Sequence, residues 1–151
     1  MGNIEFKKVS DEPLLSYQII DQDKNEIGHI EGFVNTYGHF LTVIKIFDDK
    51  YRNSGIGFIG FKMLFDELNK KTSIVTILGG WSAGGEFADY ENGMSTNLKV
   101  FNENIQSGYS PEEAALATPT GKWSQRLGFT NVEIRCQSEV NVEVSFHKSD
   151  V

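Results

Sequence analysis

Apolar and polar positions alternate over the first forty residues in short runs. Ile4 to Val9 reads as an extended segment of mixed polarity, and Leu14 to Asp21 follows as a second one. The polar run Asp21–Glu26, DQDKNE, has the composition of a turn, with Asn25 near its tip. Glu26 to Val34 resumes as a strand, with Ile27, His29, Glu31 and Phe33 on one side and Ile30 and Val34 on the other. The spacing predicts an antiparallel meander. Phe40 to Phe47, FLTVIKIF, is apolar on both faces, the pattern of a central strand covered on both sides.

From Gly57 the period changes. Phe61, Leu64, Phe65 and Leu68 recur at helical spacing and predict a helix ending between Asn69 and Thr72. Ser73 to Leu78, SIVTIL, reads as the next buried strand. Strand, helix, strand in this order predicts a right-handed crossover with parallel strands. Gly79 to Thr118 is the least regular stretch, about forty residues opening on GGWSAGGEFADYENG. Within it, Asn97 to Gln106 suits a short helix stopped by Gly108. Ser110-Pro111-Glu112-Glu113 has a helix-start signature, and Thr118-Pro119 repeats the Ser/Thr-Pro step, predicting a last helix from Pro119 to Leu127. Phe129 to Arg135 and Val140 to His147 read as two more strands. In the second, Val140, Val142, Val144 and Phe146 alternate with Asn141, Glu143, Ser145 and His147, as in a half-solvated antiparallel strand.

The whole is predicted to be a single α/β (α+β) domain over residues 1–151. It holds a mixed, mostly antiparallel sheet of six to seven strands with helices on both faces, and an irregular insertion at about 79–118. At 151 residues the chain is too short for two ordinary domains. Fourteen Lys and Arg face twenty-one Asp and Glu, a formal net charge of −7, which argues against nucleic acid or an anionic membrane as partner. The single cysteine, Cys136, excludes an intramolecular disulfide framework and a cysteine-built zinc site, and reads as a small buried hydrophobe on a strand. His29, His39 and His147 show no metal spacing, so no metal is expected. No apolar run reaches the ~20 residues of a membrane span, and MGNIEFKKVSDEP has no signal core. These features predict a cytoplasmic setting.

Candidate chemistry concentrates in Arg52-Asn53-Ser54-Gly55-Ile56-Gly57, between a buried strand and an amphipathic helix. Two glycines two apart let backbone N–H groups converge without Cβ interference. The helix start adds unpaired N–H groups and the positive end of its dipole, so the segment suits a phosphate or pyrophosphate. Gly55, Gly57 and Gly60 also spell the dinucleotide fingerprint G-x-G-x-x-G, but only one crossover unit is present. Gly121-Lys122-Trp123 is no P-loop. Gly80-Trp81-Ser82-Ala83-Gly84 has the spelling of a hydrolase nucleophile elbow, but no helix pattern follows it.

Arg52 to Gly57 resembles the R/Q-x-x-G-x-G/A signature of the GNAT superfamily, the acetyl-CoA-dependent N-acetyltransferases. FDDKYRNSGIG is similar to that family's strand-loop-helix segment. Trp123 to Phe129, WSQRLGF, is similar to its aromatic-rich last helix with an L-G-F turn. The resemblance implies transfer of an acetyl group from acetyl-CoA to an amine of a small molecule or protein. Backbone N–H groups of residues 53–57, led in by Arg52, would hold the pyrophosphate. Backbone of Ile46 and Phe47 would pair with the pantetheine arm, and the thioester would lie where the two central parallel strands splay.

The sequence departs from the family at two catalytic positions and in one length. A family tyrosine that serves the leaving sulfur is replaced by Ser124, with Tyr109 and Tyr90 as substitutes. No carboxylate lies on Phe40–Phe47, and Glu31 and His39 are the nearest groups by element order. The 79–118 segment is long for the family. Its Glu86, Asp89 and Glu91 with Trp81, Phe87 and Tyr90 would suit a cationic amine against an aromatic wall. Trp81, Phe87, Tyr90 and Phe101 would also serve to pair two copies in a homodimer. The alternative is a GNAT-like domain that binds acyl-CoA or a protein without catalysis. Attack on aminoacyl-tRNA is disfavoured by the acidity.

Overall fold

The computed structural model describes residues 3–47, 51, 54–83 and 96–148. They form two compact units, Met1–Ile74 and Val75–Val151. Among the described residues are seven strands and four helices, and every strand is paired antiparallel within its own unit.

The first unit is a four-stranded meander in chain order, β1 (Glu5–Ser10), β2 (Leu15–Ile20), β3 (Glu26–Val34) and β4 (His39–Ile46), with helix α1 (Ile56–Asn69). Two Asx turns shape it. The Asp21 carboxylate accepts the N–H groups of Asp23 and Asn25, both at 2.9 Å, and Lys24 between them takes a positive φ of 69°. The Asn35 side chain does the same for Tyr37 and His39. In each case a short polar side chain does the work of a backbone carbonyl and fixes the register of the next strand.

One strand departs from simple alternation. Ile19 pairs with Gly28 and Ile20 with Glu26, so Ile27 is an extra residue in β3. This bulge lets Ile27 be buried, although alternation places it with His29, Glu31 and Phe33. Beyond the bulge, Ile30 and Gly32 meet α1. A Cβ on Gly60 would come within 3.0 Å of the Ile30 side chain, so this third glycine of G-x-G-x-x-G serves helix-on-sheet packing. Phe61, Leu64, Phe65 and Leu68 are buried as their spacing predicts, and Phe40 meets Phe61 and Phe65 edge-on at 5.4 and 5.6 Å. β4 is less enclosed than its apolar sequence suggests: Phe40 is fully buried, whereas residues 41–46 are only half-buried.

The second unit places β7 (Asn141–His147) between β5 (Thr76–Ser82) and β6 (Asn131–Gln137). α2 (Thr96–Gln106), α3 (Pro111–Leu116) and α4 (Pro119–Arg126) complete it. β5 starts and ends later than the SIVTIL run suggests, taking in Gly79, Gly80, Trp81 and Ser82. Two glycines made this segment read as a loop. Gly79 has a packing role: it shares a strand face with Trp81, whose indole folds back so closely that any Cβ at 79 would sit 3.0 Å from the ring.

The described part of 79–118 holds the end of β5 and helices α2 and α3, and 84–95 lies outside the described residues. Trp81 and Phe101 are core residues, in ring contact at 6.3 Å, and the Phe146 ring lies 6.5 Å from the indole. Neither is available to face an amine or pair two copies. Glu86, Phe87, Asp89, Tyr90 and Glu91 lie outside the described residues. Ser82 ends β5 opposite Asn141, in a strand and not at a nucleophile elbow.

The helix caps follow the sequence closely. Ser110 and Glu113 form a reciprocal capping box, and the Thr118 hydroxyl accepts the N–H of Gly121. α4 ends in a Schellman turn: Gly128 has φ 92°, the Phe129 N–H reaches the Ser124 carbonyl, and the Gly128 N–H reaches Gln125. Phe129 is fully buried there, which gives the L-G-F spelling its physical sense. In β7, Val142, Val144 and Phe146 are buried as the alternation predicts. The strand begins one residue later than expected, leaving Val140 exposed. Ser145, expected on the solvated side, is buried, and Arg135 donates to its hydroxyl at 3.5 Å. Cys136 is half-buried on β6, less enclosed than expected. No described helix is long and apolar enough to cross a membrane.

Candidate active site

The expected cradle begins where β4 ends. Two hydrogen bonds set the parity of that strand: Asn35 N–H to the His39 carbonyl, and Phe47 N–H to the Ile27 carbonyl at 2.7 Å. In an antiparallel ladder such bonds recur at every second residue. The odd-numbered residues from His39 to Phe47 therefore direct their backbone groups towards β3, and the even-numbered ones direct theirs away. Of the two residues expected to pair with a pantetheine arm, Ile46 is directed away from β3. The Phe47 N–H is committed within the sheet, to the Ile27 carbonyl.

Arg52 and Asn53 lie outside the described residues. Ser54 donates its hydroxyl to the carbonyl of Tyr51. Gly55 follows as the N-cap of α1, with φ 89° and ψ −9°, a left-handed conformation that glycine adopts without steric cost. A Cβ built there would meet no atom of the described residues within 4 Å. Ile56 is buried and anchors the helix start, and Gly57 is half-buried beside it. No side chain caps α1, and no carboxylate stands in its first turn. The other two helix starts with a described cap use Ser110 and Thr118 side chains. A left-handed glycine, a Cβ position clear of the described residues and an uncapped helix start fit an anionic phosphate group.

The candidate proton-handling residues fare differently. Ser124 on α4 is fully buried, and its hydroxyl has no hydrogen-bond partner among the described residues. Tyr109 is the residue after Gly108 in the Schellman turn that ends α2, and its side chain is 47% exposed. His39 sits at the Asn35 turn, its ring 6.2 Å from Tyr37. Glu31 lies mid-strand on the β3 face turned away from α1, together with Phe33, Leu41 and Val43. The sequence named Glu31 but missed the apolar row around it. Counting register outward from the Asn35 turn would have found that row. Among the described residues there is no group of three or more His, Cys, Asp or Glu that could hold a metal.

No family model matches the chain, and no curated protein does. Solved structures do. An aminoglycoside 6'-N-acetyltransferase complexed with coenzyme A superposes with a TM-score of 0.52 at 13% identity, over 89% of this chain and 73% of that one. A GCN5-related N-acetyltransferase from Kribbella flavida gives 0.50 at 11% identity, over 95% and 73%. The fold is that of the GCN5-related N-acetyltransferases. A spermidine N-acetyltransferase chimera drawing on the Vibrio cholerae enzyme gives 0.50 at 12% identity, over 91% and 68%. At these identities the likeness is one of fold, and it bears out the GNAT architecture expected from the glycine signature and the L-G-F turn.

Proposed function

We propose that this GNAT-fold chain transfers an acetyl group from acetyl-CoA to an amine. The observation that carries the reading is Gly55: a left-handed cap whose Cβ position is clear of the described residues, at an uncapped helix start directly after β4. Residues 54–57, with Arg52 and Asn53 of the same motif, would hold the pyrophosphate through backbone N–H groups. When bound, acetyl-CoA supplies a thioester. The amine nitrogen forms the new C–N bond, the C–S bond breaks, and the amine's proton passes to water. A thiol of pKa near 8.5 leaves as its anion without a strong acid, so the enclosed Ser124 need not donate a proton. The net charge of −7 favours a small or protein amine over a nucleic acid as acceptor.

Calorimetric titration with acetyl-CoA and with free coenzyme A tests this. One site for each is the expected result, and absence of binding to the folded protein would overturn the reading. Gly55→Ala is the matched variant. Valine there would strain a backbone at φ 89° as well as fill the cradle, so it does not separate the two effects. Alanine costs about 1–2 kcal/mol of backbone energy. It is expected to weaken coenzyme A binding at least tenfold while the protein still melts cooperatively.

A second reading, binding without transfer, is supported by Ser124 standing buried where the family resemblance places a tyrosine. It predicts coenzyme A binding with no thiol release across a panel of amines.

A further inference from the structure

Helix α1 is apolar on two sides. One side buries Phe61, Leu64, Phe65 and Leu68. The other presents Ile59 and Met63 in a groove of about 380 Å³, rimmed by Lys62, Asp66, Glu67 and Lys70. Ile59 is 53% exposed, so burying it against a partner is favourable. The rim selects that partner. Its two lysines and two carboxylates cancel, on a chain whose formal net charge is −7. Two copies of so acidic a chain repel each other overall, and a neutral face is where they can approach. Ile59, Met63, Asp66 and Lys70 also recur at i, i+4, i+7 and i+11, the spacing of a helix–helix seam.

We infer that this face of α1 docks on the same face of a second copy, antiparallel, about a two-fold axis passing between Leu64 and Phe65. In that register Lys62 of each copy faces Glu67 of the other, and the aliphatic stem of Lys70 covers Ile59 of the other. The face is thus complementary to itself in charge. Lys62 stands 2.7 Å from Asp66 on its own helix, and Glu67 stands 3.8 Å from Lys8. Such exposed pairs contribute little alone, and docking joins them across the axis into one network. A single helix face is a small contact beside the roughly 800 Å² per partner of a standard interface, so the dimer is reversible, with a Kd on the order of 10–100 µM. Antiparallel helices set the two Gly55 caps at opposite ends of the pair, so a ligand at either cradle is compatible with docking.

Analytical ultracentrifugation of the full chain, over concentrations bracketing that Kd, tests the inference. The proteins are wild type, Ile59→Glu, Lys62→Glu, and the exchange of Lys62→Glu with Glu67→Lys. All three positions lie on the outward face of α1, and a thermal melt of each variant checks that the fold is kept. Wild type is expected to reach a dimer and go no further, because a two-fold contact closes. Ile59→Glu places a charge in the seam and is expected to weaken the dimer by roughly tenfold or more. Lys62→Glu turns both facing pairs repulsive and is expected to weaken it about tenfold. The exchange restores both pairs and is expected to return the Kd to within about threefold of wild type. A wild type that stays monomeric, a dimer that neither single variant weakens, or an exchange that fails to restore it overturns the inference.

Discussion

Replacing Ser124 by alanine removes a hydroxyl that is fully buried and hydrogen-bonded to nothing among the described residues. Two effects act in the same direction. Alanine is the better helix former by about 0.5 kcal/mol at an interior position such as this one in α4. Deleting a desolvated hydroxyl without a partner returns part of a penalty of about 1–3 kcal/mol. Against them stands the packing lost with one oxygen atom, a small term for so small a void. The net expectation is a gain of about 1–2 kcal/mol. In a chain of this length that raises Tm by about 2–8 °C. Thermal melts followed by circular dichroism, with urea titrations at constant slope, read the change directly. Thiol release is expected to stay within twofold of wild type, because an enclosed hydroxyl touches no substrate. A loss of 1 kcal/mol or more would refute the reasoning, since it would mean the hydroxyl has a partner. A loss of turnover with stability gained would restore Ser124 as a participant in the chemistry.

Gly121→Ala is the opposite case. A Cβ there would drive into the Ala115 carbonyl and the Leu116 backbone, so a loss of about 3 kcal/mol is expected in urea unfolding. A loss under 0.5 kcal/mol would mean that α3 and α4 shift apart freely. The Ser110–Glu113 capping box gives a pH dependence. Hydrogen bonds from the Ser110 backbone N–H and its hydroxyl hold the Glu113 carboxyl below its usual 4.5. A carboxyl lowered in the folded state stabilises fully above its unfolded value and loses that contribution as pH falls through the folded one. The Tm difference between wild type and Glu113→Ala is therefore expected to be constant from pH 7 to about 5 and to shrink below pH 4.5. A difference that grows on acidification contradicts the cap.

Much of the architecture was legible because local chemistry and tertiary packing agreed. The Asp21 turn, the α1 stripe of Phe61, Leu64, Phe65 and Leu68, the Ser110 and Thr118 caps and the Gly128 stop are each decided by a few neighbouring residues. Misreadings arose where a distant partner decides. Gly79 and Gly80 read as a loop because nothing local announces that the Trp81 indole needs the space above Gly79. Simple alternation puts Ile27 on the wrong side because a bulge appears only when β2 is laid against β3. Around the candidate site, the glycine motif was legible from chain chemistry alone. The commitment of the Phe47 N–H to Ile27, and the row of side chains around Glu31, depend on register.

The two units also differ in how they can be made. Each strand of the meander pairs with the one synthesised just before it, so β1 to β4 complete their ladders across two short turns. Within the second unit β5 pairs with β7, which follows three helices and another strand. Contacts between near residues close quickly, and distant ones wait on the entropy of a long loop. On the ribosome the first unit's meander has its ladders in hand while the chain is still growing, whereas the antiparallel ladder of β5 on β7 is complete only once residue 147 has been added. That interval leaves the core around Trp81 without Phe146 of β7, and it makes the late strand a step at which folding of the second unit is open to error.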